Sequence, residues 1–434
     1  MKLEFFIAKR ILVGGNHKSG FTKPVINIAV WGIALGVLIM VMAVAITKGF
    51  QKEIKSKIVG FASDIQISDV GISESYESNP IPFDTSLYLR MQEDPLIKHV
   101  QQYASKAGII KTDDDMLGVI LKGITNDFNW DFFRQHLVEG EILRFEKDQI
   151  GKETMISSKI AKTLGLKLGD QFRVFFITQQ VRNGREEYKQ KKYAFSIKGI
   201  YETGLSEEFD SKFIFVDLKR IQKLNQWETT TIGGYEVFLA SNEENNLLLT
   251  NSEGSYAHYI KQEDQITDTF FDALSFLDVR SIYTRYPQII SWLDYIDMHI
   301  SIILVIILVV AIVNMSSSLL ILILEKTNMI GILKSLGATN LSIRKIFLMK
   351  ATFLIGKGVL YGNILALIVC VIQWYFQPLQ LDPAVYYIDA VPVYLNIYYL
   401  LIINILTVFV CAFMLIIPSI FISYISPVKA IRWE

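Results

Sequence analysis

The sequence predicts an α-helical membrane protein with four transmembrane helices and a large mixed α/β domain inserted between helices 1 and 2. Three observations predict it. Apolar stretches occupy residues 24–47, 301–324, 346–375 and part of 391–425, and about 24 residues at roughly 1.5 Å each cross a hydrocarbon core of about 30 Å. The first two stretches are separated by enough chain, residues 48–300, to form a domain. The short connections also differ in charge, which orients the helices.

The resulting organisation is a cytoplasmic amphipathic lead 1–23, transmembrane helix 24–47, external domain 48–294, transmembrane helix 295–324, cytoplasmic connection 325–340, transmembrane helix 341–375, external loop 376–395, transmembrane helix 396–425 and cytoplasmic tail 426–434. Lys2, Lys9, Arg10, Lys18 and Lys23 precede the first span against one acid, Glu4. Lys326, Lys334, Arg344, Lys345 and Lys350 follow the second against Glu325, and Lys429 and Arg432 lie in the tail, whereas residues 376–395 carry no Lys or Arg. This bias places both termini in the cytosol and the domain outside. In the lead, Leu3, Phe6, Ile7 and Ile11 share one helical face, which suits either a short helix lying on the membrane surface or an ordinary polar lead. The first apolar stretch is too long for a signal peptide, so it stays as an anchor.

The domain reads as alternating strands and short helices. Residues 49–54 carry the first helix onward, 64–68 alternate as a strand, and a helix starts near Asp84. A strand at 154–156, a helix at 158–164 and a turn at 165–170 lead into a strand at 171–177, whose partner is 193–201. Between those partners, residues 178–192 form a basic hairpin loop around Asn183-Gly184, flanked by Arg182 and Arg185. It reads either as a docking finger or as a solvated edge whose lysines block aggregation. Strands at 213–216 and 234–239 and helices at 218–224 and 264–277 follow. The domain is mildly acidic, with 30 Lys and Arg against 38 Asp and Glu between Lys48 and His299, so nucleic acid is not its partner.

The connection after the second span carries the sharpest pattern. Residues 325–338 read as a short helix capped by Thr327 or Asn328 and stopped by Gly337, with Thr339 or Asn340 starting the next helix. Met329, Ile330, Leu333 and Leu336 form an apolar stripe that suits either a groove on a soluble partner or an anionic lipid surface.

Glu325-Lys326, Ile330-Gly331-Ile332-Leu333-Lys334 and Leu336-Gly337-Ala338 resemble the coupling-helix signature of FtsX-like and MacB-like ABC transporter permeases. The lead 6–10, the glycines Gly32, Gly36 and Gly49 of the first helix and the ending 426–432 fit the same family. Gly49-Phe50, residues 165–170 and residues 386–393 are most similar to its Lol-type lipoprotein-releasing branch, and the resemblance covers nearly the whole chain.

The resemblance implies a non-catalytic permease subunit in the bacterial inner membrane. Two copies of a cytoplasmic ATPase would bind ATP and Mg and engage Glu325, Lys326, Met329, Ile330, Leu333, Lys334, Leu336, Gly337 and Ala338. A second permease chain, this one or a paralogue, would complete the pair. Lipoprotein cargo would be taken from membrane lipids into a cavity beside Gly32, Gly36 and Ala43. A periplasmic carrier would dock on Arg182, Asn183, Gly184 and Arg185, although this segment departs from the branch in lacking proline. A MacB-like efflux permease and an FtsX-like regulator of a cell-wall hydrolase are the alternatives.

The chain's own residues imply no cofactor on it. Gly151-Lys152 and Gly356-Lys357 lack the upstream glycine and following hydroxyl of a phosphate-binding loop. The five histidines are scattered, giving no metal-ligand spacing. Asp113-Asp114-Asp115 reads as a solvated turn, Lys357 as a lysine snorkelling to the membrane boundary, and Cys370 and Cys411 as small apolar residues within spans.

Overall fold

The computed structural model describes residues 22–71, 77–112, 115–146, 149–182, 185–240, 264–274 and 276–425. The lead, Asp113 and Asp114, the hairpin tip Asn183-Gly184 and the tail from Ser426 lie outside them. The chain divides into two compact units, Lys52–Asp294 with Leu381–Asp389, and Met1–Gln51 with Tyr295–Gln380 and Ala390–Glu434.

The first of these units is built on β1 (Ile65–Asp69), β2 (Ile81–Pro82), β3 (Ile97–Lys111), β4 (Met116–Ile124), β5 (Leu137–Gly140), β6 (Glu153–Ser157), β7 (Gln171–Arg182), β8 (Arg185–Tyr201), β9 (Phe213–Asp217), β10 (Thr231–Ile232), β11 (Gly234–Leu239) and β12 (Leu277–Ser281). A ten-stranded sheet runs in the order β12-β1-β11-β3-β4-β9-β6-β8-β5, with β7 pairing both β3 and β8, and β2 and β10 make a separate pair. The β4–β9 and β6–β8 pairs are parallel, so the sheet is mixed. Helices Thr85–Glu93, Ser158–Leu164 and Leu218–Asn225 start at Asp84, Ser157 and Asp217, whose side chains accept backbone N–H groups of the first turn. Helix Ser158–Leu164 stops at Gly165, which adopts φ 64° and so needs no Cβ accommodated in the left-handed region. Ile160 and Leu164 from that helix and Ile221 and Leu224 from Leu218–Asn225 join Val174, Phe195, Ile214 and Val237 in one buried core.

Two expectations are corrected here, and two long strands that sequence reading missed are added. The helix expected at 264–277 ends at Leu274, and Leu277–Ser281 is a strand because it completes the ladder beside β1. The long central strands β3 and β4 carry no clean alternation, since both of their faces are covered over much of their length. Residues 178–182 and 185–192 are not a loop: β7 and β8 stay paired up to Arg182 opposite Arg185.

The second unit holds the apolar helices. Among the described residues, four helices are long and apolar enough to cross a membrane: Ile26–Ala62, Pro287–Glu325, Asn340–Phe376 and Ile397–Tyr424. Below they are the first to fourth spans. The first belongs to a helix from Thr22 to Ala62, whose C-terminal end lies in the sheet unit. The fourth is interrupted into Ile397–Met414, Ile416–Ser419 and Phe421–Tyr424, because Pro418 offers no N–H to residue 414 and crowds its carbonyl. Ile33, Val37, Met315, Leu322, Ile330, Ile343, Phe347, Ile355 and Leu415 share one buried cluster. Cys370 and Cys411 are buried at helix contacts.

Candidate functional site

The connection between the second and third spans folds into the helix Thr327–Ser335. Gly337 follows at φ 88°, a conformation that stops the helix. Thr339 then caps the next helix, its hydroxyl accepting the Ser342 N–H. The expected N-cap is corrected, because Lys326 occupies that position with no side-chain cap bond. The Thr327 hydroxyl instead donates back to the Ile323 and Leu324 carbonyls. The Glu325–Lys326 ion pair, 3.2 Å, closes the end of the second span.

The apolar stripe is split between two faces. Ile330 is fully buried in the helix cluster, and Met329, Leu333 and Ala338 pack against that cluster. Met329, Ile330 and Leu333 therefore face the chain's own bundle, Ile330 wholly and the other two in part. The face left exposed carries Ile332 (48%) and Leu336 (79%), with Asn328 and Ser335 beside them. Lys334 turns back, donating from Nζ to the carbonyls of Ile422 at 2.8 Å and Ile425 at 2.7 Å.

The small residues of the first span fall on one face, since Gly32, Gly36 and Ala43 come within about 40° of one another at 100° per residue. A Cβ at Gly32 would lie 3.3 Å from Asn314 Nδ2 and one at Gly36 3.4 Å from Ile307 Cγ2, so this face lines the second span. Ala43 is half-buried. The tightest approach between spans is elsewhere. A Cβ at Gly358 would lie 2.7 Å from Ile33 Cβ, and one at Gly362 2.6 Å from the Ala34 carbonyl oxygen, so the first and third spans meet nearly backbone to backbone. Sequence reading missed this pair, though Gly358-x-x-x-Gly362 is the spacing that signals such contacts. Gly358→Leu and Gly362→Leu should each cost about 1–3 kcal/mol through overpacking. Gly356→Leu, where a Cβ meets open space, should leave the thermal unfolding midpoint in detergent unchanged.

Two further polar features hold the helices. Asn363 and Asn404 exchange amide hydrogen bonds of 2.9 and 3.3 Å between the third and fourth spans. Lys48 pairs with Asp297 at 3.0 Å between the first and second. Lys357 extends its Nζ over the Phe353 ring, 5.1 Å from the centroid and one turn toward the N-terminal end of its helix, the direction in which a lysine snorkels.

In the sheet unit, the end of the first long helix is gripped by a buried polar cluster that sequence reading also missed. Lys122 donates to the Phe61 carbonyl at 3.0 Å and pairs with Glu236 at 2.7 Å, with both side chains almost wholly buried. Gln66 and Gln101 donate to the two Glu236 oxygens, and Gln66 also donates to the Ala62 carbonyl. The ammonium thus sits at the negative end of a helix dipole. Burial pushes the Lys122 pKa down, and Glu236 pulls it back. Phe61 packs on Phe133, Phe209 and Phe213 at centroid distances of 5.5, 4.6 and 5.3 Å.

The hairpin candidates are less assembled. Arg182 and Arg185 form the terminal rung of the β7–β8 ladder, while Asn183 and Gly184 lie outside the described residues. Among the described residues no group of three or more His, Cys, Asp or Glu side chains could hold a metal ion.

This chain is similar to two lipoprotein-releasing permeases over nine-tenths or more of its length. It is 24% identical over 404 residues to the lipoprotein-releasing system transmembrane protein LolE of Haemophilus influenzae, covering 90% of each chain. It is 23% identical to the lipoprotein-releasing system transmembrane protein LolC of Neisseria meningitidis, covering 100% of this chain and 99% of that one. The crystal structure of the periplasmic region of MacB from Actinobacillus actinomycetemcomitans aligns with 15% identity and a TM-score of 0.32, over 55% of this chain and 98% of that one. The MacB-like periplasmic core domain model matches residues 28–247, about half of the chain, and the FtsX-like permease C-terminal model matches residues 301–427. With both models on one polypeptide and four membrane-spanning helices around the inserted α/β domain, the chain belongs to the FtsX/MacB-like family of ABC transporter permeases.

Proposed function

We propose that this permease extracts lipoproteins from the inner membrane and passes them to a periplasmic carrier, driven by ATP hydrolysis on a partner ATPase. The observation that carries the reading is the end-to-end similarity to two lipoprotein-releasing permeases, covering 90% and 100% of this chain. In this reading both termini face the cytoplasm and the sheet unit faces the periplasm, as the Lys and Arg bias of the short connections favours.

ATP and Mg belong to the ATPase, two copies of which engage two permease chains, either two of this one or this one and a paralogue. The ATPase groove receives the outer face of Thr327–Ser335 and the turn after it, where Ile332 and Leu336 stand exposed. Acyl chains enter from the lipid by parting the seam between the first and second spans, where Gly32 and Gly36 meet Asn314 and Ile307 and Ala43 is half-buried. The β7–β8 hairpin, with Arg182, Asn183, Gly184 and Arg185 at its end, docks the carrier. This chain performs no covalent step: it converts closure of the ATPases into movement of its helices.

Reconstitution with the ATPase in liposomes tests the reading. A triacylated lipoprotein should pass to a soluble carrier only when ATP is present, and its unacylated form should neither bind nor stimulate hydrolysis. Equal stimulation by both forms would reject lipoprotein release in favour of the efflux expected of a MacB-like permease.

A further inference from the structure

The helix Thr327–Ser335 is joined by the chain to the second and third spans, but the fourth span follows only after residue 396. Lys334 bridges that gap. Its Nζ lies 2.8 Å from the Ile422 carbonyl oxygen, 3.4 Å from that of Ser423 and 2.7 Å from that of Ile425. These carbonyls lie at the end of Phe421–Tyr424, the last helical segment among the described residues, and the last carbonyls of a helix have no intrahelical donor. An ammonium has three protons to donate and is favoured at the negative end of a helix. From the first turns of the third span, Arg344 adds a bond from Nη2 to the Ser423 hydroxyl at 2.5 Å. A lysine serving only to solvate a surface helix would point outward, as Ser335 and Leu336 do.

We propose that Lys334 is a positioning residue that ties the coupling helix to the end of the fourth span, so that displacement of the helix moves the fourth span with it. The proposal rests on reading Thr327–Ser335 as the ATPase-coupling helix. Through the tie, one push from an ATPase reaches the second and third spans by the chain and the fourth by hydrogen bonds.

The test uses the full complex with its ATPase. Spin labels are placed through Ser335→Cys and Tyr424→Cys in a Cys370→Ala/Cys411→Ala background, in a labelled permease that still copurifies with its ATPase and hydrolyses ATP at the unlabelled rate, and their separation is compared in nucleotide-free and ATP-trapped states. It should stay constant without any change at Lys334, and a separation that opens on trapping overturns the tie. Lys334→Met keeps the apolar stem but removes every donor. It should let the labels diverge and lower lipoprotein released per ATP hydrolysed about tenfold, a typical coupling magnitude. Lys334→Arg, which can still donate to several carbonyls, should restore both readouts. Wild-type release per ATP in Lys334→Met also overturns the proposal. Failure of the underlying reading looks different: Ile332→Asp and Leu336→Asp would then copurify with the ATPase normally, whatever the labels report.

Discussion

Ile332→Asp and Leu336→Asp will each weaken ATPase association about 30-fold or more and abolish cargo-stimulated hydrolysis while leaving the permease folded. Both side chains are exposed, so a carboxylate there is solvated in the free permease and becomes costly only when a partner's groove closes over it. Hot-spot residues in helix-in-groove interfaces contribute about 2 kcal/mol or more, which sets the fold-change. Ile330→Asp should behave differently. Ile330 is fully buried among the helices, so the new charge should cost more than about 3 kcal/mol of stability and appear as lost yield and a lower unfolding midpoint. Copurification of the ATPase and thermal unfolding in detergent separate the two classes. Normal ATPase binding by both Ile332→Asp and Leu336→Asp would remove the connection from the interface.

The second large effect is expected at Lys122. Lys122→Met leaves the Glu236 carboxylate buried without its ion-pair partner and strips the Phe61 carbonyl of a donor. Breaking a buried pair from one side costs about 3–5 kcal/mol. The double variant Lys122→Met/Glu236→Gln should recover at least about 1 kcal/mol relative to the sum of the single changes, because the uncompensated charge is gone. Chemical denaturation followed by fluorescence, with the other five tryptophans replaced by Phe, reads this directly, since Trp130 packs on Phe128 and Phe133 beside the cluster. Additive single changes would mean that the pair is not coupled.

Much of the architecture was legible because it depends on local pattern. A membrane span needs only length and apolarity, which residues 24–47 and 301–324 display outright. Short helices were legible where a cap, a periodic stripe and a stop coincide, as at Ser158–Leu164 between Ser157 and Gly165. The strand Leu277–Ser281 was not, because its identity rests on pairing with β1, more than two hundred residues away in sequence. Glu236 shows the same limit within an element read correctly. Its neighbours Tyr235 and Val237 point into the core, so alternation sends Glu236 to solvent, yet the helix end with Phe61 covers that face too.

The sequence by itself determined the spans, the insertion of an α/β domain, the family motif of the connection and the hairpin of β7 and β8. All of these follow from residues close together in the chain. Only the tertiary structure decided which side of Thr327–Ser335 is free, because Ile330 and Ile332 are equally apolar and only packing buries one and exposes the other. It likewise decided that Lys334 reaches the end of the fourth span and that Lys122 grips the end of the first long helix. A lysine's charge is written in the sequence. The carbonyl that receives its proton is brought there by the fold.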